Sequence, residues 1–568
     1  MLRNFRLFHV GVFFCIFLLA LSIRLYHLDS LPINHDEAKY ARILLMPREW
    51  AFKSLTMTTR IFYFLLFPPI LIIYPSGFTQ YFLNNFAFFL RLPSALIGAF
   101  TVFLTYSLTK QMYGRKEAVV ASLLLCFLPW HILQSRIANP VISVSFFGCF
   151  IFLCLFNFFQ ERKIILKSAW FILSCVLLKI SFIYEGALLF IPIFLLSLLY
   201  LRTEIKFKVM AIGITFLFIS PVIYAIVRWG NWFWNIFYRA YHQNIFEGHL
   251  LLNIANNLKN NLAFAIGQLF FDFKPSSLLY GKALRAPLLI HPLVSIIFLL
   301  SLFKACWKRT TADKILLTWL SLGFLGGIGG VNYFEPRYIL IILPPLIILL
   351  ARLIVDLFNH IILIKSVIKR EFLLMIGIFI FGFMLQNEMT QWAIYYHLAP
   401  VDLDECRYNS FGSKEAAEYL YQWPDIEKYT IVSDTRMTAH LYYCKQFLLF
   451  NKNKDYYEFI EKYDPSELFQ NRRVFDANII TSVLYKIKMY TSKKMGLEKK
   501  HDYSIIYGSE VGKRIYVLWA PESHPVDFWN GWFRQRFDKF KKNFPDEKPI
   551  KTIYYPNGLP AIYIFKIG

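Results

Sequence analysis

Charge is scarce in this chain, and acid is scarcer than base. Asp, Glu, Lys and Arg make up 17% of the 568 residues, against 57% hydrophobic and 19% aromatic. Few soluble proteins of this size could hide so much apolar surface from water, so most of it is expected to face lipid. Cysteine is sparse too. Of eight, Cys15, Cys126, Cys149, Cys154 and Cys175 fall in apolar runs and Cys306 in a short basic connection, which leaves Cys406 and Cys444 as the pair a disulfide could use. Spacing alone does not show that bond. No CxxC motif or Cys/His cluster points to a metal. The C-terminal part lacks a nucleophile elbow and a phosphate-binding glycine loop, which argues against hydrolase or nucleotide chemistry there.

What the chain has instead is a series of apolar runs long enough to cross a hydrocarbon core of about 30 Å. They cover 7–28, 86–109, 118–133, 141–159, 168–183, 186–201, 209–227, 287–303, 315–331, 339–357 and 372–386. Short cytoplasmic loops collect Lys and Arg, which tests this division independently. With the amino terminus inside, the inner loops hold Arg3 and Arg6; Lys110, Arg115 and Lys116; Arg162, Lys163 and Lys167; Arg202, Lys206 and Lys208; Lys304, Lys308, Arg309 and Lys314; and Lys365, Lys369 and Arg370. Every even-numbered crossing returns to a basic loop. The expectation is a polytopic α-helical protein of the plasma membrane with about eleven transmembrane helices and everything after Gln386 outside the cytoplasm. A cleaved signal peptide is the competing account of the first 22 residues, because Ala20-Leu21-Ser22 resembles a cleavage site; the run is long for such a signal.

The formal charge of +24 invites a nucleic-acid reading, but the excess lies in the membrane part. Residues 1–387 carry 35 basic and 14 acidic side chains, while 388–568 carry 26 and 23. Basic loops beside anionic headgroups account for it, and no nucleic-acid partner is expected. Four regions follow: the first run, an outer loop 29–85, a multi-span bundle broken by a second outer loop 228–286, and a soluble α/β domain over 388–568. The first loop contains an apolar stretch, 61–74, interrupted by Pro68-Pro69, which suits the membrane interface better than a crossing. The second mixes Trp229, Trp232, Phe233, Trp234, Phe237 and Tyr238 with Arg239, His242 and Arg285, a composition suited to the headgroup layer or to gripping substrate. In the tail, the pattern predicts a helix over 413–423, a strand over 429–433, a hairpin of 504–507 with 514–519, and a final strand over 561–565.

Asp36 and Glu37, in Asn34-His35-Asp36-Glu37-Ala38-Lys39-Tyr40, come just after the first run. Carboxylates are costly inside hydrocarbon and cheap at its edge, where one could take a proton from a hydroxyl beside a lipid-borne substrate. Cations stand at the outer ends of other runs: Arg91 at the start of the second, Arg136 after the third and Arg337 before the tenth. Arginine grips phosphate by charge and by forked hydrogen bonds. Each alone suits an interface anchor as well. Lys179 lies inside an apolar run and must either snorkel outward or line a cavity. Glu335 is placed to pair with Arg337, and Glu185 marks an outer turn.

The order Asp36-Glu37-Ala38-Lys39-Tyr40-Ala41, Pro68-Pro69, Arg91-Leu92-Pro93-Ser94-Ala95-Leu96-Ile97-Gly98, Ser135-Arg136, then Pro336-Arg337-Tyr338 with Pro344-Pro345 resembles the GT-C glycosyltransferases. The likeness is to their protein O-mannosyltransferase and aminoarabinose-transferase group, including the RgtA/B/C/D-like enzymes, and covers roughly residues 1–350. It implies transfer of a sugar from a polyprenyl phosphate to an extracytoplasmic glycan, lipid or protein. Asp36 would be the catalytic base, Glu37 its neighbour, Arg136, Arg337 and Lys179 the donor-phosphate residues, and Tyr40, Arg91, Arg239 and His242 further substrate contacts. Phe67 stands where a His often precedes the two prolines, which weakens any metal or acceptor contact there. No cofactor is expected, with a divalent metal left open. A transporter of lipid-linked sugar is the alternative; the spans show neither the internal symmetry nor the paired charges that would favour it.

Overall fold

The computed structural model describes residues 2–29, 37, 85–139, 141–181, 189–200, 205–228, 292–329, 340–375, 377, 382, 412–423, 425–433, 504–506, 513–521, 530–554 and 558–568. These divide into two compact units. One joins 1–28 with 91–393, and the other joins 29–90 with 394–568.

In the first unit the described parts of the apolar runs are mostly helical. The elements are α1 (Leu2–Leu25), α2 (Phe86–Met112), α3 (Arg115–Phe127), α4 (Pro129–Arg136), α5 (Ile142–Gln160), α6 (Ile164–Ser181), α7 (Phe190–Leu199), α8 (Ile205–Arg228), α9 (Pro292–Lys308), α10 (Thr311–Gly329) and α11 (Leu343–Ile362). Among the described residues, four of these are long and apolar enough to cross a membrane, or five if one bent pair counts as a single span. That pair corrects the expected run over 118–133. It is not one rod: α3 and α4 meet at a bend of 60°, where Leu128 is extended and Pro129, lacking an N–H, opens the new helix. The eleventh run, 372–386, lies mostly outside the described residues.

Large side chains on the periphery point outward, among them Phe14 on α1, Ile165 on α6, Leu217 on α8 and Trp307 on α9. In lipid this exposure carries no hydrophobic penalty. The interior is built around α11, whose residues from Leu343 to Ala351 are all buried, as expected of a helix apolar on every side. It packs against α3, α5, α9 and α10. Where α5 meets α10, Phe152 stacks on the fully buried Trp319 with ring centroids 4.6 Å apart. Trp319 Nε1 donates to the Ile341 carbonyl at 2.8 Å, so its one polar atom is satisfied.

The second unit contains α12 (Ser413–Tyr421), β1 (Thr430–Ser433), β2 (Ser504–Ile506), β3 (Arg514–Trp519), α13 (Asn530–Asn543), β4 (Lys551–Tyr554) and β5 (Pro560–Ile567). The strands form one sheet in the order β2-β1-β3-β5-β4. The expected hairpin of 504–507 with 514–519 is therefore wrong in its pairing. β1 lies between them, antiparallel to β2 and parallel to β3. Its Ile431 and Val432 are both buried, and a buried strand needs hydrogen-bonding neighbours on both edges. α13 covers one face through Phe537, Phe540 and Phe544, against Tyr516, Leu518, Tyr563 and Phe565. Ile515 and Val517, which alternation turns to the other face, are buried as well.

Candidate functional site

α1 ends in the manner of many helices, with a residue in left-handed conformation: His27 has φ 46°. A helix end leaves carbonyls without intrahelical donors, and its partial negative charge favours cations. Arginines from other helices supply both. Arg136, at the end of α4, donates through Nη1 to the carbonyls of Ile23 (3.2 Å) and Tyr26 and through Nη2 to that of His27 (2.6 Å). Arg91 of α2 donates to the Leu28 carbonyl at 3.0 Å. Both side chains are buried.

One turn back along α1 lies a third guanidinium, that of Arg24, with no exposed surface at all. Its Nη1 donates to the Ala20 carbonyl at 2.9 Å, its Nε to Ser135 Oγ at 3.2 Å, and its Nη2 to His131 Nδ1 at 2.8 Å. His131 and Ser135 are four residues apart on α4 and so share a face. Gly98 of α2 allows this approach. A Cβ there would sit 2.3 Å from Ser135 Cβ and 3.0 Å from Arg24 Nε, so no other residue fits without displacing them. Ser94, one turn away along α2, is buried, and its Oγ has no partner among the described residues.

The result is a buried seam in which three cationic side chains from α1, α2 and α4 gather where α1 gives way to the segment carrying Asp36 and Glu37. Charge packed this closely in a poorly polarisable setting is costly unless it is hydrogen-bonded, and it creates a strong field for anions. Chemically, such a seam can hold the exit of α1 in fixed geometry and attract a phosphate-like group.

Of the residues singled out from the sequence, Arg91 and Arg136 are brought together here. Glu37 is fully buried. Lys179, in the last turn of α6, is exposed, in keeping with a side chain that snorkels. Asp36, Tyr40, Arg239, His242 and Arg337 lie outside the described residues, as do Glu185, Glu335, Phe67, Cys406 and Cys444. Arg24 and His131 were not anticipated, and Ser135 entered only as the neighbour of Arg136 in the Ser135-Arg136 motif. Arg24 reads as an ordinary basic residue at the end of a span, and only the shared face of His131 and Ser135 next to Arg136 hints at a polar cluster. Among the described residues no group of three or more His, Cys, Asp or Glu side chains could hold a metal.

The other end of the same bundle carries a second polar cluster. Asp313, fully buried in the first turn of α10, accepts from Tyr113 Oη at 2.6 Å and from the Thr310 amide and hydroxyl at 2.9 and 2.6 Å, and it pairs with Arg352 of α11. Thr310 returns a contact to the Asp313 amide at 3.1 Å, so the two form a reciprocal helix cap. The Arg352 guanidinium lies over the Tyr113 ring, 4.6 Å from its centroid. Burial, reinforced by the bond to Asp313, raises the Tyr113 phenol well above its ordinary range. Nearby, Lys304 of α9 pairs with Asp356 of α11.

No family model matches the sequence, and no curated protein matches it. Among solved structures, the chain is similar to the archaeal oligosaccharyltransferase AglB from Archaeoglobus fulgidus in complex with an inhibitory peptide and a dolichol-phosphate, with a TM-score of 0.46 and 12% identity over 74% of this chain. The match spans 59% of that protein's length. It is also similar to ArnT from Cupriavidus metallidurans, with a TM-score of 0.47 and 10% identity in the apo state, over 99% of this chain and 98% of that one. The same protein bound to undecaprenyl phosphate gives a TM-score of 0.46 and 12% identity.

Proposed function

We propose that this chain is a membrane glycosyltransferase that moves a sugar from a polyprenyl-phosphate donor to an acceptor hydroxyl outside the cytoplasm. The observation that carries the reading is the gathering of three buried guanidinium groups at the end of the helix that leads into the Asp36-Glu37 segment. In this reading the two halves of a substitution come from different parts of the sequence: carboxylates after α1 to activate an attacking oxygen, and cations from α1, α2 and α4 to receive a departing phosphate.

In this reading the acceptor hydroxyl attacks the anomeric carbon, its proton passes to the Asp36 carboxylate, and the bond from that carbon to the phosphate oxygen breaks. Polyprenyl phosphate leaves, and the configuration inverts. Glu37 shares the acceptor site with Asp36. Arg136 stabilises the leaving phosphate at the end of α1 while its bonds to the Ile23, Tyr26 and His27 carbonyls keep it in place. Arg337 and Lys179 make outlying contacts to the carrier, and Tyr40, Arg91, Arg239 and His242 complete the substrate surface. The activated sugar arrives on lipid, so no nucleotide pocket is needed. The amino terminus is cytoplasmic, and residues 388–568 form an extracytoplasmic domain.

Purified protein incubated with defined polyprenyl-phosphate sugars and membrane extract, followed by mass analysis of the products, tests this. A glycosylated acceptor and released polyprenyl phosphate are expected, and Asp36→Asn should lower the rate by about a thousandfold with the fold intact. Near-normal turnover in that variant removes Asp36 from the mechanism. Passage of intact donor across the membrane, with no polyprenyl phosphate released, would replace the enzyme by a transporter.

A further inference from the structure

His131 is fully buried, and its two ring nitrogens have different surroundings. Nδ1 faces Arg24 Nη2 at 2.8 Å. A guanidinium can only donate, so Nδ1 must accept, and the proton of the neutral ring is fixed on Nε2. That nitrogen is buried and has no hydrogen-bond partner among the described residues. The seam thus contains a buried donor whose tautomer is set by Arg24 and for which no polar group among the described residues serves as acceptor. Leaving such a donor unmet costs free energy that native structures rarely bear without a reason.

What would satisfy it must be a hydrogen-bond acceptor. The charge around it narrows the class further. Arg24 lies on the same ring, Arg136 ends the same helix, and Arg91 binds the chain one turn beyond Arg24. Beside three guanidinium groups the favoured acceptor is an oxyanion, and the glycosyltransferase reading supplies one in the phosphate of the lipid carrier.

We propose that the Nε2–H of His131 donates to a non-bridging phosphate oxygen of the polyprenyl-phosphate carrier, with Arg24 acting as a positioning residue that holds the ring in the donating tautomer. This rests on the glycosyltransferase reading and adds to it a ligand contact on α4. It also gives Gly98 a role, because the space it leaves open is what lets Arg24 reach α4.

Two substitutions separate a ligand contact from a purely structural one. In His131→Asn the side-chain oxygen occupies the place of Nδ1 and can still accept from Arg24, but the outer donor is gone. In His131→Gln the longer amide reaches the place of Nε2 and can donate there, at the expense of the Arg24 contact. Each full-length variant is placed in lipid nanodiscs, its thermal midpoint is recorded, and its affinity is measured for undecaprenyl phosphate and for undecaprenol, which lacks the phosphate. The wild type should prefer the phosphate. His131→Asn should weaken phosphate binding about tenfold or more without changing binding of the alcohol, whereas His131→Gln should stay within about threefold of wild type. The reverse order, with Asn binding normally and Gln failing, would overturn the proposal and leave His131 as a partner for Arg24 alone, with the carrier reading intact. A wild type that does not distinguish the phosphate from the alcohol would reject the carrier reading itself, and this contact with it.

Discussion

The two polar ends of the helical bundle use arginine differently. At the end of α1, Arg91 and Arg136 bond to backbone carbonyls, and Arg24 to a carbonyl, a hydroxyl and an imidazole. At the opposite end, Arg352 meets the buried carboxylate of Asp313, and Lys304 meets Asp356. Bonds to carbonyls fix the path of the chain, whereas bonds to carboxylates fix helices to one another and cancel charge. The first arrangement anchors the exit of α1. The second suits a clasp, and it joins α10 and α11 to the turn after α2, with α9 tied to α11 beside it.

On that contrast, damage at the clasp should show first in stability. Arg352→Met leaves the buried Asp313 carboxylate without its cation, a change that typically costs about 3–5 kcal/mol. The variant should lose most of its thermal resistance in detergent, and a midpoint equal to wild type would mean the pair is not part of what holds α10 to α11. Next in size is Gly98→Val, which drives side-chain atoms into Ser135 and Arg24 and should cost about 1–3 kcal/mol by overpacking. Here sugar transfer should fall further than stability does. An equal fall in both would make the seam a packing feature only.

Arg136→Lys keeps the charge but loses the fork that spans three carbonyls. A loss of about 1–2 kcal/mol of stability, read from the thermal midpoint, is expected, together with weaker donor binding that extra salt does not restore. Tyr113→Phe should be the mildest, about 1 kcal/mol near neutral pH. Its pH dependence has a definite sign. The phenol is raised in the folded protein, so its contribution is fully present below the unfolded value of about 10 and is lost as pH rises toward the folded one. The advantage of wild type over the variant should therefore shrink and then reverse as pH rises above about 10, and a gap that does not change with pH would contradict the burial of the hydroxyl.

Long apolar runs were legible because lipid-facing helices need no alternation, and α1, α2 and α5 lie close to where hydropathy puts them. The bend between α3 and α4 was written in Pro129, yet apolar residues on both sides concealed it. In the tail the strands were recognisable from β-branched and aromatic residues, while the pairing was not. β2 and β3 are adjacent in sequence, which favours a hairpin, but the choice of neighbour depends on the need to bury β1, a tertiary fact. α13 left a signal in Phe533, Phe537, Phe540 and Phe544, spaced to share one helical face, against a background of lysines. Of the seam, the cations on α2 and α4 could be suspected from their place at the ends of runs. Arg24 could not, because the contacts that give it meaning come from residues more than a hundred positions away.

The insertion of β1 between β2 and β3 has a consequence during synthesis. Residues 434–503 must leave the ribosome before either neighbour of β1 exists, so this strand waits with both edges bare while the nascent chain lengthens. A strand in that condition is adhesive, and the waiting period is when chaperones or premature association would act upon it.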